Sequence, residues 1–519
     1  MTISEFSNRR DLFNRLEKAA KGKANKPLTV ILPDGQGEWE VYPKSIRKSA
    51  RGGLFVAGNY NRRNALFIVG DAGLKVMERY AGRKIARIPD AIIKKCRLTR
   101  NIMRQLREDF PHCAPTGRQN GNLSIAFGDV LGMAGKAQML AFSGTADLIF
   151  SRQCVHQLSR LELDPEDALD AVTWSVFQEG YDGGYAAEAC QVTTPEDLEK
   201  MLDAGFTRFS VEPANPCLFS LREESKRNLL ERMFQLPWIE LRDKFELMFN
   251  RYINRRIDLP EPEKAAWPGD ETERDPLVII PSEKEVLAAM GIYAETICQV
   301  TAMEQVLVRR KCRSKVTLEV SFSRAGGNLT PFEHFFVINE LFRRDVHPDY
   351  FAPGEITLEH QLVAWLNKGY GLTGEAGQVL DTIHEEFPLT MHGIYPDISY
   401  RTALHCIVQK KPDLFRKIWE TSRNRFQDVG GESLTSLKIH HIPSVKDYSD
   451  HNLAEILETP NTDDFLKVSL LVVMTDRDET GNRYLRQKLM AFLQAHEMLY
   501  TEALLETYRL WTGEGREEE

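Results

Sequence analysis

The chain has 519 residues, of which 42% are hydrophobic and 27% charged, with a formal net charge of -8. This is the composition of an ordinary globular protein with ample material for a core, and its mild acidity argues against general nucleic-acid binding, which leaves a basic footprint. The 8 cysteines are scattered without a C-x-x-C pair, which fits reduced thiols in a cytoplasmic protein better than a disulfide framework or a zinc knuckle. The first residues lack the apolar core of a secretory signal, and no apolar run reads as long enough to span a bilayer.

In chain order, residues 1 to about 26 read as a short amphipathic helix and a Lys-rich loop. PLTVILPDGQGEWEVYP and GGLFVAGNYNRRNALFIVGD then alternate apolar and polar residues around turns, a hairpin signature. Residues 1–120 are therefore expected to form a small α+β N-terminal domain. From about 121 the signals change to alternating helices and short strands, the grammar of an α/β fold. DPEDALDAVTWSVFQEG predicts a helix with Asp164 at its N-cap, Pro165 just inside and Gly180 ending it; TTPEDLEKMLDAG repeats the device with Thr194, Pro195 and Gly205. Between them lies a glycine-rich turn, YDGGYAAEACQ, and after them a strand from Phe206 delivers Glu212 to its C-terminal end. A Pro-rich, charged insertion is read near 256–280. Strands KVTLEVSF, FPLTMHGI and SLKIHHIP follow among helices, and 481–519 reads as a C-terminal helix with an acidic tail.

Several of these segments together resemble the tagaturonate epimerase family, metal-dependent (β/α)-barrel enzymes that interconvert keto-uronic sugars. They are FGDVLG, WSVFQEG, the DGGY turn and AGFTRFSVEP, with VYPKSIRK near the N-terminus and SYRTALHCIVQKKPDLFRKIW, LKIHHIPSV and FLKVSLLVV later. The resemblance covers most of the chain. It implies that 121–480 is a (β/α)8-type TIM barrel, that the substrate is a keto-uronate or related sugar acid, and that the reaction is an isomerase's epimerisation. The chain also departs from the family pattern. Ala189-Cys190-Gln191-Val192 stands where an Asp-His-Leu-Lys run is expected, Ser323-Arg324 where an Asp-Glu pair is expected, and Met391-His392-Gly393 where a longer run carries a Lys. A divergent, active epimerase and a catalytically inactive sugar-binding, regulatory or scaffolding paralogue both follow from this pattern.

In a barrel of this type the C-terminal strand ends face the active site. Glu212, His392 and one of His440 and His441 end predicted strands and form a set of O and N donors suited to a divalent ion such as Mn, Ni, Zn or Fe. Alternation with Leu437 and Ile439 favours His440 as the inward member. The competing reading is a group of hydrogen-bonded histidines without a metal. Asp129 is read as a proton carrier or as a helix cap, and Glu188 as a replacement acid or a solvent-facing residue of the turn. Arg152 and Gln153, in a loop-like FSRQC segment, are candidate contacts to a carboxylate or hydroxyl, as are Gln178 and Arg324. His334 reads as a capping or surface residue. Cys154 and Cys190 lack an adjacent His base, which argues against nucleophilic catalysis.

Overall fold

The computed structural model describes residues 7–512 except 23–27, 32–37, 61–62, 118–122, 215, 261–276, 324–327, 368–369, 376–388, 395, 429–452 and 459–461. Helices begin where the sequence supplies side-chain caps. Asp164 accepts from the Glu166 amide and Thr194 from the Asp197 amide. Ser282 with Glu285 and Thr330 with Glu333 complete capping boxes. Gly180, at φ 62°, ends the helix Pro165–Glu179 in the left-handed region, and a Cβ there would run into the carbonyl oxygen of Lys44. That glycine thus closes a helix and admits the N-terminal sheet, whose Arg47 donates to its carbonyl at 3.0 Å.

The N-terminal strands are β1 (Leu28–Ile31), β2 (Glu38–Val41), β3 (Arg47–Lys48), β4 (Leu54–Tyr60), β5 (Arg63–Gly70), β6 (Arg83–Ile88) and β7 (Ala91–Arg97). They form an antiparallel sheet in the order β1-β2-β4-β5-β7-β6, with β3 on β4. Alternation makes both faces apolar. Leu54, Val56, Phe67 and Val69 pack with Leu12 and Leu16 of the helix Arg9–Gly22, whereas Phe55, Ala57, Leu66 and Ile68 join the main core.

Eight further strands are parallel: β8 (Leu123–Phe127), β9 (Asp147–Cys154), β10 (Tyr185–Val192), β11 (Arg208–Val211), β14 (Thr317–Ser321), β15 (Tyr350–Ala352), β16 (Gly371–Glu375) and β17 (Leu389–Ile394). They pair in the closed order β10-β11-β14-β15-β16-β17-β8-β9. The fold is mixed α/β. The closure is complete among the described strands without the segment SLKIHHIP, which lies outside the described residues together with His440. Two short strands, β12 (Ile257–Asp258) and β13 (Val278–Ile279), pair antiparallel on either side of 261–276, the heart of the expected insertion.

One expectation needs correction. The helix Glu283–Arg309 has an 18-residue window of mean hydropathy 1.4, long and apolar enough by composition to cross a membrane. Its window is 72% buried inside the protein, as befits a core helix. Val286, Met290, Ile297, Val300 and Leu307 are all fully buried.

The last described helix, Glu497–Thr512, ties the layers together. Glu497 accepts from Gln178 at 2.8 Å, from Tyr42 at 3.2 Å and from Lys136 at 3.3 Å. Gln178 thereby fastens the closing helix. Replacing a largely buried acceptor shared by three donors leaves each of them under-satisfied. Glu497→Ala is expected to lower stability in urea unfolding by about 2–3 kcal/mol, and Glu497→Gln, which keeps an acceptor, by less.

Candidate active site

The closed sheet separates its side chains cleanly. Ile125, Phe127, Leu148, Phe150, Phe209, Val211, Leu318, Val320, Phe351 and Leu372 point outward into the main core. The alternate positions point inward, and only Ala126, Ile149 and Ala186 make an apolar cluster there. Polar residues fill much of the rest of the described interior: Ser124, Glu188, Arg208, Ser210, Glu319, Ser321, Thr373 and Thr390, all fully buried except Ser124 at 1 % and Arg208 at 2 % exposure.

Two bulges shape this interior. Between the pairs Phe150–Ala187 and Gln153–Ala189, β9 places Ser151 and Arg152 opposite the single residue Glu188. Between Ala189–Phe209 and Val192–Val211, β10 places Cys190 and Gln191 opposite Ser210. Each bulge holds one non-glycine residue in the left-handed region, Ser151 at φ 50° and Gln191 at φ 55°, as extra residues in a ladder commonly do. The first bulge turns Arg152 inward, where its Nε donates to Glu188 at 2.9 Å.

From Glu188 the charges continue around the barrel. Arg208 Nε lies 3.3 Å from the other oxygen of Glu188, and Arg208 Nη2 donates to Glu319 at 2.6 Å. Ser210 and Thr373 each donate to Glu319 at 2.7 Å, and the Arg208 guanidinium sits over the Tyr350 ring at 4.2 Å. Burial works against the charge on Arg208, but Glu319 and then Glu188 more than offset it, so its pKa is raised. Two guanidinium groups and two carboxyl groups therefore alternate in one connected, charge-matched chain.

The predicted site residues divide around this chain. Glu188 is not in a turn but in the middle of β10 and fully buried, where it holds Arg152 and Arg208. Gln153 lies in β9 rather than in a loop, and its amide donates to the Asp129 carbonyl at 3.2 Å. Asp129 sits just past the end of β8, with its carboxylate committed to the amides of Leu131, Gly132 and Ala134 at 3.1, 3.0 and 2.7 Å. Burial raises its pKa against the pull of those amides. It holds the loop leading into the helix Gly135–Phe142, in keeping with the capping reading. Glu212 stands at the end of β11, buried to 8 % exposure, with its amide bonded to Val192. His392 is placed in β17, paired with Glu375 and Ala126. Arg324 and His440 lie outside the described residues. Among the described residues no three His, Cys, Asp or Glu side chains come together as a metal set, so of the three proposed ligands the described side chains supply Glu212.

Sequence reading missed Arg208, Glu319 and Thr373. Inward alternation in TRFSV and KVTLEVS was the signal available, since a charged residue between apolar neighbours in a two-sided buried strand must face a polar interior. It also misplaced His334, which is fully buried rather than capping or exposed. Because the Leu329 carbonyl can only accept, the contact at 3.0 Å makes His360 Nε2 the donor. His360 Nδ1 then accepts from His334 Nδ1–H at 3.1 Å, and His334 Nε2 accepts from the Tyr370 hydroxyl at 3.1 Å. Both rings are neutral.

Eight parallel strands around a charge-paired interior define a mixed α/β protein, an architecture in which small-molecule sites are sought at the C-terminal strand ends. The chain belongs to the tagaturonate epimerase family, whose model matches residues 42–357 and 380–509. It is 27% identical over 494 residues, 91% of this chain and 95% of the relative, to a tagaturonate/fructuronate epimerase of Thermotoga maritima. A glycerol-complexed fructuronate-tagaturonate epimerase from Cohnella laeviribosi superposes with a TM-score of 0.73 at 18% identity, over 97% of this chain and 99% of that one. The native form of that enzyme gives a TM-score of 0.73 at 19% identity, over 92% of this chain and 97% of that one. At these identities the structural likeness speaks for the fold.

Two outcomes follow. Glu319→Leu strands Arg208 and is expected to cost about 3–5 kcal/mol in urea unfolding, while the Arg208→Leu/Glu319→Leu pair loses less than the sum of the single changes. The second concerns pH. Burial holds His334 well below its usual pKa and brings His360 to about 4. A depressed folded value leaves stability intact above the unfolded pKa of about 6.5 and lets it fall as pH drops towards 4. His360→Gln is expected to flatten that decline in urea midpoints by about 1.4 kcal/mol per pH unit, one proton's share.

Proposed function

We propose that this chain is an epimerase that interconverts keto-uronates of the tagaturonate and fructuronate type, working at the C-terminal mouth of the sheet, which we read as a (β/α)8-type TIM barrel. The observation that carries this reading is the family match, which runs through β3 to β15 and resumes through β17 to the closing helix. The charge chain supports it as a rigid floor. An anionic sugar acid needs a guanidinium held in one orientation, and Arg152 faces inward two residues below the end of β9, braced by Glu188. Arg152 receives the substrate carboxylate in this proposal, and Glu188 is its positioning residue rather than a proton carrier. Arg324 remains a second proposed carboxylate contact, and a cytoplasmic location fits the reduced thiols of the described cysteines.

The family resemblance also implies a divalent metal, for which Glu212, His392 and His440 are the proposed ligands. The described side chains do not assemble that set, and no step is routed through it. A specific observation favours the alternative of an inactive, sugar-binding relative. Position 190 is Cys and position 192 Val where the family pattern has His and Lys, and the described interior carboxylates Glu188 and Glu319 are both paired with guanidinium groups.

The deciding measurement is incubation with tagaturonate and with fructuronate, followed by NMR, beside elemental analysis of the purified protein. Interconversion is expected from both sides. Arg152→Met is expected to raise KM at least tenfold with a smaller change in kcat, as a lost ground-state contact does. No conversion, with uronate binding retained, would instead establish the binding protein. Near-stoichiometric Mn, Ni, Zn or Fe that disappears in His392→Ala would support the metal set; no metal uptake on titration would remove it.

A further inference from the structure

The residues Cys154 and Cys190 are register partners at the C-terminal ends of the adjacent parallel strands β9 and β10. Cys154 lies two residues beyond the inward Arg152 and Cys190 two beyond the inward Glu188, so both fall on the interior face of extended backbone. Neither belongs to the apolar core that holds Cys96, Cys113 and Cys406. Register partners in neighbouring strands lie about 4.8 Å apart, within the roughly 4.4–6.8 Å between Cα atoms that a disulfide spans. The structure holds both residues as thiols.

Among the described cysteines, these two are the pair that sits in register on adjacent strands beside Arg152. Arg152 is close enough to Cys190 for the two to interact electrostatically, and a neighbouring guanidinium favours the thiolate. Cys154 donates its S–H to the side-chain oxygen of Gln191, the positive-φ residue of the second bulge. Burial pushes the Cys96 and Cys298 thiols up to about 11 and that of Cys113 to about 12, which keeps them protonated and slow.

We propose that Cys154 and Cys190 form a redox-active dithiol at the mouth of the barrel, oxidised by a hydroperoxide to a disulfide between β9 and β10. The Cys190 thiolate attacks the peroxide oxygen, the O–O bond breaks, and sulfenic acid forms with release of hydroxide. The Cys154 sulfur then attacks the Cys190 sulfur and displaces a second hydroxide, which leaves as water with the Cys154 proton. In sum, two thiols and one hydrogen peroxide give one disulfide and two waters, and a dithiol reductant reverses the change. Closure pulls Cys154 from Gln191 and ties the two bulged strands beside Arg152. On the epimerase reading, it therefore also closes the site to sugar acids.

The test treats the full chain with a small excess of hydrogen peroxide, then alkylates and maps peptides without reduction. The expected product has lost two hydrogens and links the Cys154 and Cys190 peptides, and dithiothreitol restores both thiols. In Cys154→Ser, Cys190 is expected to accumulate as sulfenic acid captured by a 1,3-dione. Full alkylation of both thiols after peroxide, or a linkage to any other cysteine, overturns the proposal. The wild-type map needs no variant to fold, and it reads sulfur chemistry whether or not the protein epimerises a uronate. Reversible loss of uronate binding in the linked form tests the consequence separately.

Discussion

The interior of the closed sheet holds four buried charges, Arg152, Glu188, Arg208 and Glu319, and most of what surrounds them follows from the need to pair every one. Ions in a medium of low dielectric are tolerable only with close partners and satisfied hydrogen bonds. The strand residues that touch the chain are accordingly small or hydroxylated, Ser210 and Thr373 among them, and Tyr350 offers its ring face to Arg208. An apolar interior would have been simpler to fill. A polar one keeps guanidinium and carboxylate groups rigid beneath the mouth, which on the proposed epimerase reading lets an anionic sugar acid meet them without reorganisation.

The bulges are part of the same solution. Two residues against one at Ser151–Arg152 let a long side chain enter from a strand whose regular alternation would have sent it elsewhere, and the next bulge at Cys190–Gln191 repeats the device one strand over. Both fall near the C-terminal ends of their strands, so the positive-φ backbone of Ser151 and Gln191 collects at one mouth of the sheet. Asp129 and Gln153 fasten the neighbouring loop, and Gln178 fastens the closing helix.

Helices were the legible part of this chain. Asp164, Thr194, Gly180 and Gly205 are local signals, and their caps form as the residue types require. The strands were harder because the polar interior removes the usual pattern. YAAEACQV offers small residues beside a glycine pair and reads as a turn, although it is an eight-residue strand. Tyr350–Ala352 is three residues long, and Gly371–Glu375 is opened and interrupted by glycine, so neither carries the β-branched run that marks a strand. Glu188 was misplaced with its strand. Arg208 and Glu319 were passed over, because an ion pair that spans 111 residues leaves no trace of the partner in the local sequence.

The clamp on Glu497 has a consequence for how such a chain comes together. Its bond to Tyr42 joins residues 455 apart, so one of the ties between the antiparallel sheet and the barrel waits until residue 497 has been made. During synthesis the N-terminal sheet can form early from its own neighbouring strands, whereas Lys136 and Gln178 meet this partner only once residue 497 has left the ribosome. Contacts of this span make assembly slow and expose intermediate surfaces. A chain that stops before residue 497 would therefore lack this tie between the two layers, however complete the eight strands.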